Sequence, residues 1–222
     1  MHDAIAELVR TTLLIIGALL PIVNPPENIP IFLALTTGLS PENRSVLARK
    51  VAVNGFTLLV VSVLIGTHIL AFFGISLPIV QVGGGLVLIA GGWKLLNRPD
   101  EEERAPDATP KSLKASYLSR RAFYPLTLPL TVGPGSISVA IAVGANRPPG
   151  SEMHWSLPVA AFLGCAVIAV TIYIVYRFAE PIGRILGDTA MSIIVRLSSF
   201  VLLCIGVQIV WNGVSKLLST IA

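Results

Sequence analysis

Charge is scarce in this chain. Only 13% of its 222 residues are Asp, Glu, Lys or Arg, where a soluble globular domain carries about 25%. A fold whose whole surface faces water is thereby excluded. The two cysteines, Cys165 and Cys204, lie inside apolar runs without CxxC spacing, which excludes a disulfide framework and a zinc site. Paired cysteines and axial histidines are missing from every candidate site, so no cofactor or metal is expected. Long polar stretches are nearly absent, residues 97–119 forming the only one. No small-residue cleavage site follows the first apolar run, which therefore reads as a retained span and not a signal peptide.

What fills the chain is apolar. Hydrophobic residues make up 54% and mean hydropathy is +0.79. These values predict an all-α integral membrane protein, embedded in the lipid bilayer as one membrane domain. At about 20 residues per crossing, the length suits six spans with short loops. A net charge of +4 and a pI near 9.3 raise nucleic acid as a partner. Topology accounts for the basic excess better, and no nucleic-acid partner is expected.

Proline is concentrated where an apolar helix should be continuous. Residues 19–32 read LLPIVNPPENIPIF, with Pro21, Pro25, Pro26 and Pro30 around Asn24, Glu27 and Asn28. Proline removes a backbone donor and clashes with the preceding turn, so a helix breaks there. In lipid the freed carbonyls must be buried in protein or line a wet cavity. A polar break at membrane depth is therefore a site or a costly defect. Residues 127–140, TLPLTVGPGSISVA, form a counterpart carrying Pro129 and Pro134. A shift of 108 positions places Leu20 on Leu128, Pro21 on Pro129, Pro26 on Pro134 and Ile29 on Ile137. Interrupted hydrophobic segments at matching places in two halves point to the substrate site of an inverted-repeat transporter.

The predicted spans follow in order. Residues 5–37 form the first, interrupted at 24–28. Uninterrupted it would be about 50 Å long in a core of about 30 Å, so it is broken and tilted or its second half is re-entrant. Ser40-Pro41-Glu42 opens the second helix, with serine as cap, proline in the first turn and an acid behind it. That helix is apolar over 51–73, and an uncharged turn spans 74–78. The third, 79–96, carries Gly83-Gly84-Gly85 and Gly91-Gly92, small residues that let membrane helices approach closely. Residues 121–145 hold the second break, a loop spans 146–156, the fifth helix spans 157–178, a loop 180–188, and the sixth 192–218. A shift of 115 sets Leu88 on Leu203, Gly91 on Gly206 and Asn97 on Asn212. Two three-helix repeats are thus expected, residues 1–97 and 120–222, joined by a polar linker, 98–119. Three crossings per half invert the second repeat relative to the first. The loops after spans one, three and five hold 13 of the 16 basic residues. The positive-inside rule then predicts a cytoplasmic linker and both termini outside.

Glu27 is the single acid deep in a predicted span. One reading is a capping box, Asn24 capping the second half-helix and Glu27 reaching back to the cap amide. The other is a proton or cation relay, since intramembrane acids are rare and usually functional. At the second break, Thr131, Gly133, Gly135 and Ser136 surround bare amides at a half-helix start, an arrangement that favours an anion. A carboxylate facing an anion hole suits a zwitterion. The bland alternative is a kink that only lets helices pack. Asn54, His68, Gln81 and Gln208 are the remaining polar residues in or at the ends of spans, with Asn54 and Gln208 able to bond neighbouring helices. Lys94 is expected to snorkel to the surface.

The paired NPPxxIPIF and LPLTVGPGSIS breaks, with GGGLVLIAGG and IGVQIVWNG in later helices, resemble the MarC family of bacterial inner-membrane proteins. The resemblance covers essentially the whole chain. It implies six spans, a place in the broader LysE-like transporter group, and a neutral amino acid transporter type. Family members commonly carry acid-Pro-Ile-Gly at the first break; here the acid is displaced to Glu27 and the glycine is lost. The second break keeps Gly133-Pro134-Gly135.

The expected function is a bacterial inner-membrane transporter of a small solute, a neutral amino acid or related metabolite. Its substrate residues would be Asn24, Glu27, Asn28, Thr131, Gly133, Gly135 and Ser136, with H+ or Na+ as a coupling ion and one repeat rocking against the other. Two alternatives stand beside it. A membrane scaffold would need no solute. An intramembrane enzyme would need a base beside Ser136 or Ser138, and no histidine neighbours them in sequence. Glycine-rich spans three and six could pack within one protomer or between two in a homo-oligomer.

Overall fold

The computed structural model describes residues 2–36, 38–97, 120–145 and 156–221. The predicted linker 98–119 and nearly all of the loop 146–156 lie outside the described residues. Helices are α1 (His2–Val23), α2 (Ile29–Leu35), α3 (Pro41–Phe72), α4 (Leu77–Leu96), α5 (Pro134–Ala145), α6 (Ser156–Arg177) and α7 (Ala179–Ile221). A 3-10 turn, Pro25–Asn28, separates α1 from α2, and a wide-turned segment, Ala122–Thr131, precedes α5. Among the described residues there are no strands. Among the described residues, five stretches are long and apolar enough to cross a membrane, and a sixth results if Ala122–Thr131 and α5 count as one bent span.

Large apolar side chains coat the outside, as in a fold whose solvent is lipid; Phe72 is 84% exposed. The interior is built on α3 and α6. On α3, Leu47, Val51, Gly55, Leu59, Val63 and Gly66 are buried at helical spacing. The matching stripe on α6 is Ala161, Cys165, Ile168, Ile172 and Tyr176. The α3 start follows its sequence grammar: Ser40 is extended, Pro41 follows, and Ser40 accepts a hydrogen bond from the Asn43 amide.

In Ala122–Thr131 the backbone leaves helical angles at Tyr124 and Leu128. Each stands before a proline, whose ring pushes the preceding residue toward extended geometry. The hydroxyls of Thr127 and Thr131 donate to the carbonyls of Ala122 and Leu126, each at 2.7 Å. These threonine hydroxyls thereby find acceptors within the stretch itself, as a segment in hydrocarbon requires. Past Gly133 the chain turns by 68° into α5.

The predicted loop 180–188 is helical instead. Glu180 and Pro181 occupy the first turn of α7, where a missing donor costs nothing and an acid faces the helix dipole. The helix is interrupted at Gly187, whose φ of 69° favours glycine.

Helices α4 and α7 pack antiparallel through glycines. A Cβ added at Gly85 would lie 2.7 Å from the Gly206 carbonyl, and one added at Gly206 would lie 2.9 Å from that of Gly85. Gly92 meets Ser199 and Leu203, while Gly213 meets Pro78 and Val82. Exchanging the helices with a shift of 121 maps this set of contacts onto itself. The sequence match at a shift of 115 is therefore not the packing register. Gly91 faces open space, and Gly85 stands opposite Gly206.

On α5, a Cβ at Gly144 would fall 1.9 Å from the Val63 carbonyl of α3. Gly144→Ala must push two backbones apart and should cost about 1–3 kcal/mol. Gly91→Ala meets nothing within 4 Å and should stabilise by up to about 1 kcal/mol. Thermal unfolding in detergent distinguishes the two.

Candidate functional site

The apolar core holds few polar side chains, and several gather where the two proline-rich stretches approach each other. Asn24 ends α1 in the left-handed region, φ 37°, which asparagine tolerates better than most residues. Its amide still bonds the Leu20 carbonyl at 2.9 Å, closing the helix. The short turn Pro25–Asn28 then buries Glu27 at 5% exposure.

The Glu27 carboxylate accepts from the Asn24 side-chain amide at 2.6 Å and from the Ser199 hydroxyl of α7 at 3.2 Å. This replaces the predicted capping box. The Asn24 backbone amide is already used by Leu20, and the Asn24 side chain caps no helix. Asn28 bends its amide back toward the carbonyls of Val23 and Asn24, at 3.4 and 3.5 Å. Pro25 is buried; Pro21 and Pro26 are exposed, and Pro30 is half-buried.

Tyr176 of α6 joins the two stretches. Its hydroxyl is 2.7 Å from the Thr131 hydroxyl and interacts with the Asn28 side chain. Its ring stacks on Phe32 of α2 with centroids 4.4 Å apart. Asn54 of α3 reaches the Thr127 hydroxyl at 3.5 Å. Chemically, one buried carboxylate with two donors stands beside a neutral tyrosine–threonine–asparagine chain.

The second stretch is more closed than its composition implied. The Ser136 hydroxyl donates to the Gly133 carbonyl at 2.9 Å. A Cβ at Gly135 would lie 2.3 Å from the Leu88 side chain, so Leu88 covers the start of α5. Gly133 lies against the Pro129 carbonyl, while Pro129 and Pro134 are exposed. Asn24, Glu27 and Asn28 thus cluster together, Thr131 joins them through Tyr176, Gly135 packs instead toward α4, and Gly133 and Ser136 are engaged within their own stretch.

Among the other polar residues, His68 is exposed. Gln208 is exposed and bonds Asn212 of its own helix at 2.9 Å, not a neighbouring helix. Lys94 is exposed in the last turn of α4. Tyr176 and Ser199 were not singled out in the sequence. Tyr176 adjoins Arg177 at a helix end, where tyrosine has an ordinary interfacial reading. Ser199 belongs to a Ser198-Ser199 pair inside the last span, the one signal that marked it.

These features define a polytopic helical membrane protein with one buried acid in a polar cluster beside interrupted helices. The chain matches the MarC family of integral membrane proteins over residues 9–218. It is 31% identical over 205 residues to the UPF0056 inner membrane protein MarC of Salmonella typhimurium, covering 91% of this chain and 93% of that protein. The same values hold for the proteins of that name from Salmonella typhi and Escherichia coli UTI89. No solved structure matches. The chain belongs to the MarC family.

Tyr176→Phe keeps the stacking on Phe32 and removes the hydroxyl bridge. It should lower stability by about 1 kcal/mol. Combined with Thr131→Val, the loss should be smaller than the sum of the single losses, because both act on one bond. Equilibrium unfolding in mixed micelles measures all three.

Proposed function

We propose that this chain carries a small polar solute, a neutral amino acid or related metabolite, across the bacterial inner membrane. The observation that carries the reading is Glu27: a carboxylate buried in an apolar protein, held by Asn24 and Ser199 at an interrupted helix. An acid at such depth needs a compensating role, and a proton, Na+ or substrate ammonium supplies one. Asn24 and Asn28 frame that group, while Thr131, Gly133, Gly135 and Ser136 would receive the carboxylate once Leu88 moves aside. A polar group at each interrupted helix is the layout of a carrier with a site between repeats.

The self-matching glycine contacts of α4 and α7 support an inverted three-plus-three plan with a break in each half. The 13 of 16 basic residues in the loops after spans one, three and five support a cytoplasmic linker and outer termini.

Counterflow in proteoliposomes tests the reading, with a panel of amino acids and no imposed gradient. The wild type should exchange at least one neutral amino acid saturably. Gly135→Leu, which fills the start of α5, should reduce exchange at least about ten-fold. Glu27→Gln should still exchange solute but fail to concentrate it under a pH or Na+ gradient. A wild type silent across the panel overturns the amino acid assignment. Full gradient-driven uptake by Glu27→Gln overturns the role of Glu27.

A further inference from the structure

Among the described residues, two buried polar oxygens deep in the spans lack a partner. Gln81 Oε1 and Ser138 Oγ make no hydrogen bond, although their residues are only 7% and 4% exposed. Unmet polar atoms at such depth are costly, and native folds keep few of them. Ser138 lies in the seam between α4 and α5, and Gln81 at its edge, where α4 also meets α7. Ser138 of α5 faces Gly84 of α4 so closely that a Cβ at Gly84 would fall 1.9 Å from the serine hydroxyl. Gln81 stands one turn away on α4, where Cβ atoms three apart are about 5–6 Å from each other, and its own Cβ lies 3.1 Å from a Cβ built at Gly213 of α7. One turn in the other direction, Leu88 covers Gly135 at the start of α5. The seam thus leads from the second interruption toward the α3–α4 turn, past a hydroxyl and then a carboxamide.

We propose that Gln81 and Ser138 form a hydrated subsite where α4 meets α5 and α7, one that receives an uncharged hydrogen-bonding group of the solute, a hydroxyl or carboxamide. Both lining groups are neutral, and a charge placed there would lack a counter-charge from either of them. Gly84 is needed because any side chain at that position would cover the Ser138 hydroxyl. The solute's identity rests on the carrier reading above; the hydration of the seam does not.

Thiol labelling separates the two. In a Cys165→Ala, Cys204→Ala background, Ser138→Cys, Gln81→Cys and the control Leu86→Cys are exposed to a charged methanethiosulfonate reagent in lipid vesicles. Leu86 lies on α4 and is 53% exposed on the apolar surface. Only a thiol reached by water forms the reactive thiolate. Ser138→Cys or Gln81→Cys should react at least about ten-fold faster than Leu86→Cys. Labelling of both at the control rate overturns the subsite, whatever the wild type transports. Labelling in a protein that exchanges nothing supports the hydrated seam and overturns the carrier reading instead. Where exchange is present, Gln81→Leu should weaken half-saturation for serine, threonine, asparagine and glutamine about ten-fold relative to alanine. An equal change for alanine overturns the assignment of the polar group.

Discussion

Inside hydrocarbon, each backbone donor and acceptor must find its partner within the protein. That constraint governs this fold most visibly where prolines remove donors. Near Pro25 and Pro26, the chain responds with a 3-10 turn and with the Asn28 amide turned back toward two carbonyls. Near Pro125 and Pro129, it widens the helix and assigns threonine hydroxyls to the carbonyls of Ala122 and Leu126. Most polar residues in the two stretches therefore have a backbone to satisfy. Glu27 is different, because its carboxylate accepts only from side chains.

The helical architecture was legible because composition and periodicity report directly on a lipid environment. The start of α3 could be placed from Ser40 and Pro41 alone. Local grammar also explains the main misreading. Glu180-Pro181 is a helix-start signal, but a short charged stretch between two long spans resembled a connection. The polar cluster was legible only in part. Glu27 stood out because acids are rare at that depth, whereas its partner Ser199 lies 172 residues away. The role of Tyr176 as a bridge depends on the angle at which α6 crosses both interruptions. Nothing in the neighbouring residues encodes that angle.

Glycine does two kinds of work in the packing. Gly144, Gly85 and Gly206 bring backbone against backbone, where no side chain can adapt. Gly84, Gly135 and Gly66 face the side chains of Ser138, Leu88 and Ile141, which can change rotamer. Contacts of the first kind are fixed distances; those of the second kind are adjustable. The sequence shows a glycine-rich helix without distinguishing them, and the match at a shift of 115 was drawn to a glycine that packs against nothing.

The glycine contacts between α4 and α7 bear on how the molecule can move. A backbone-to-backbone fit extending over two turns leaves no side chain that could adapt to sliding of these helices on each other. They come from opposite halves of the chain. The close backbone fit at Gly85 and Gly206 therefore ties the two halves together. Across from this pair stands the α1–α3–α6 group, joined to it by the Glu27–Ser199 bond and by α5, which packs on α3 at Gly144 and on α4 at Leu88.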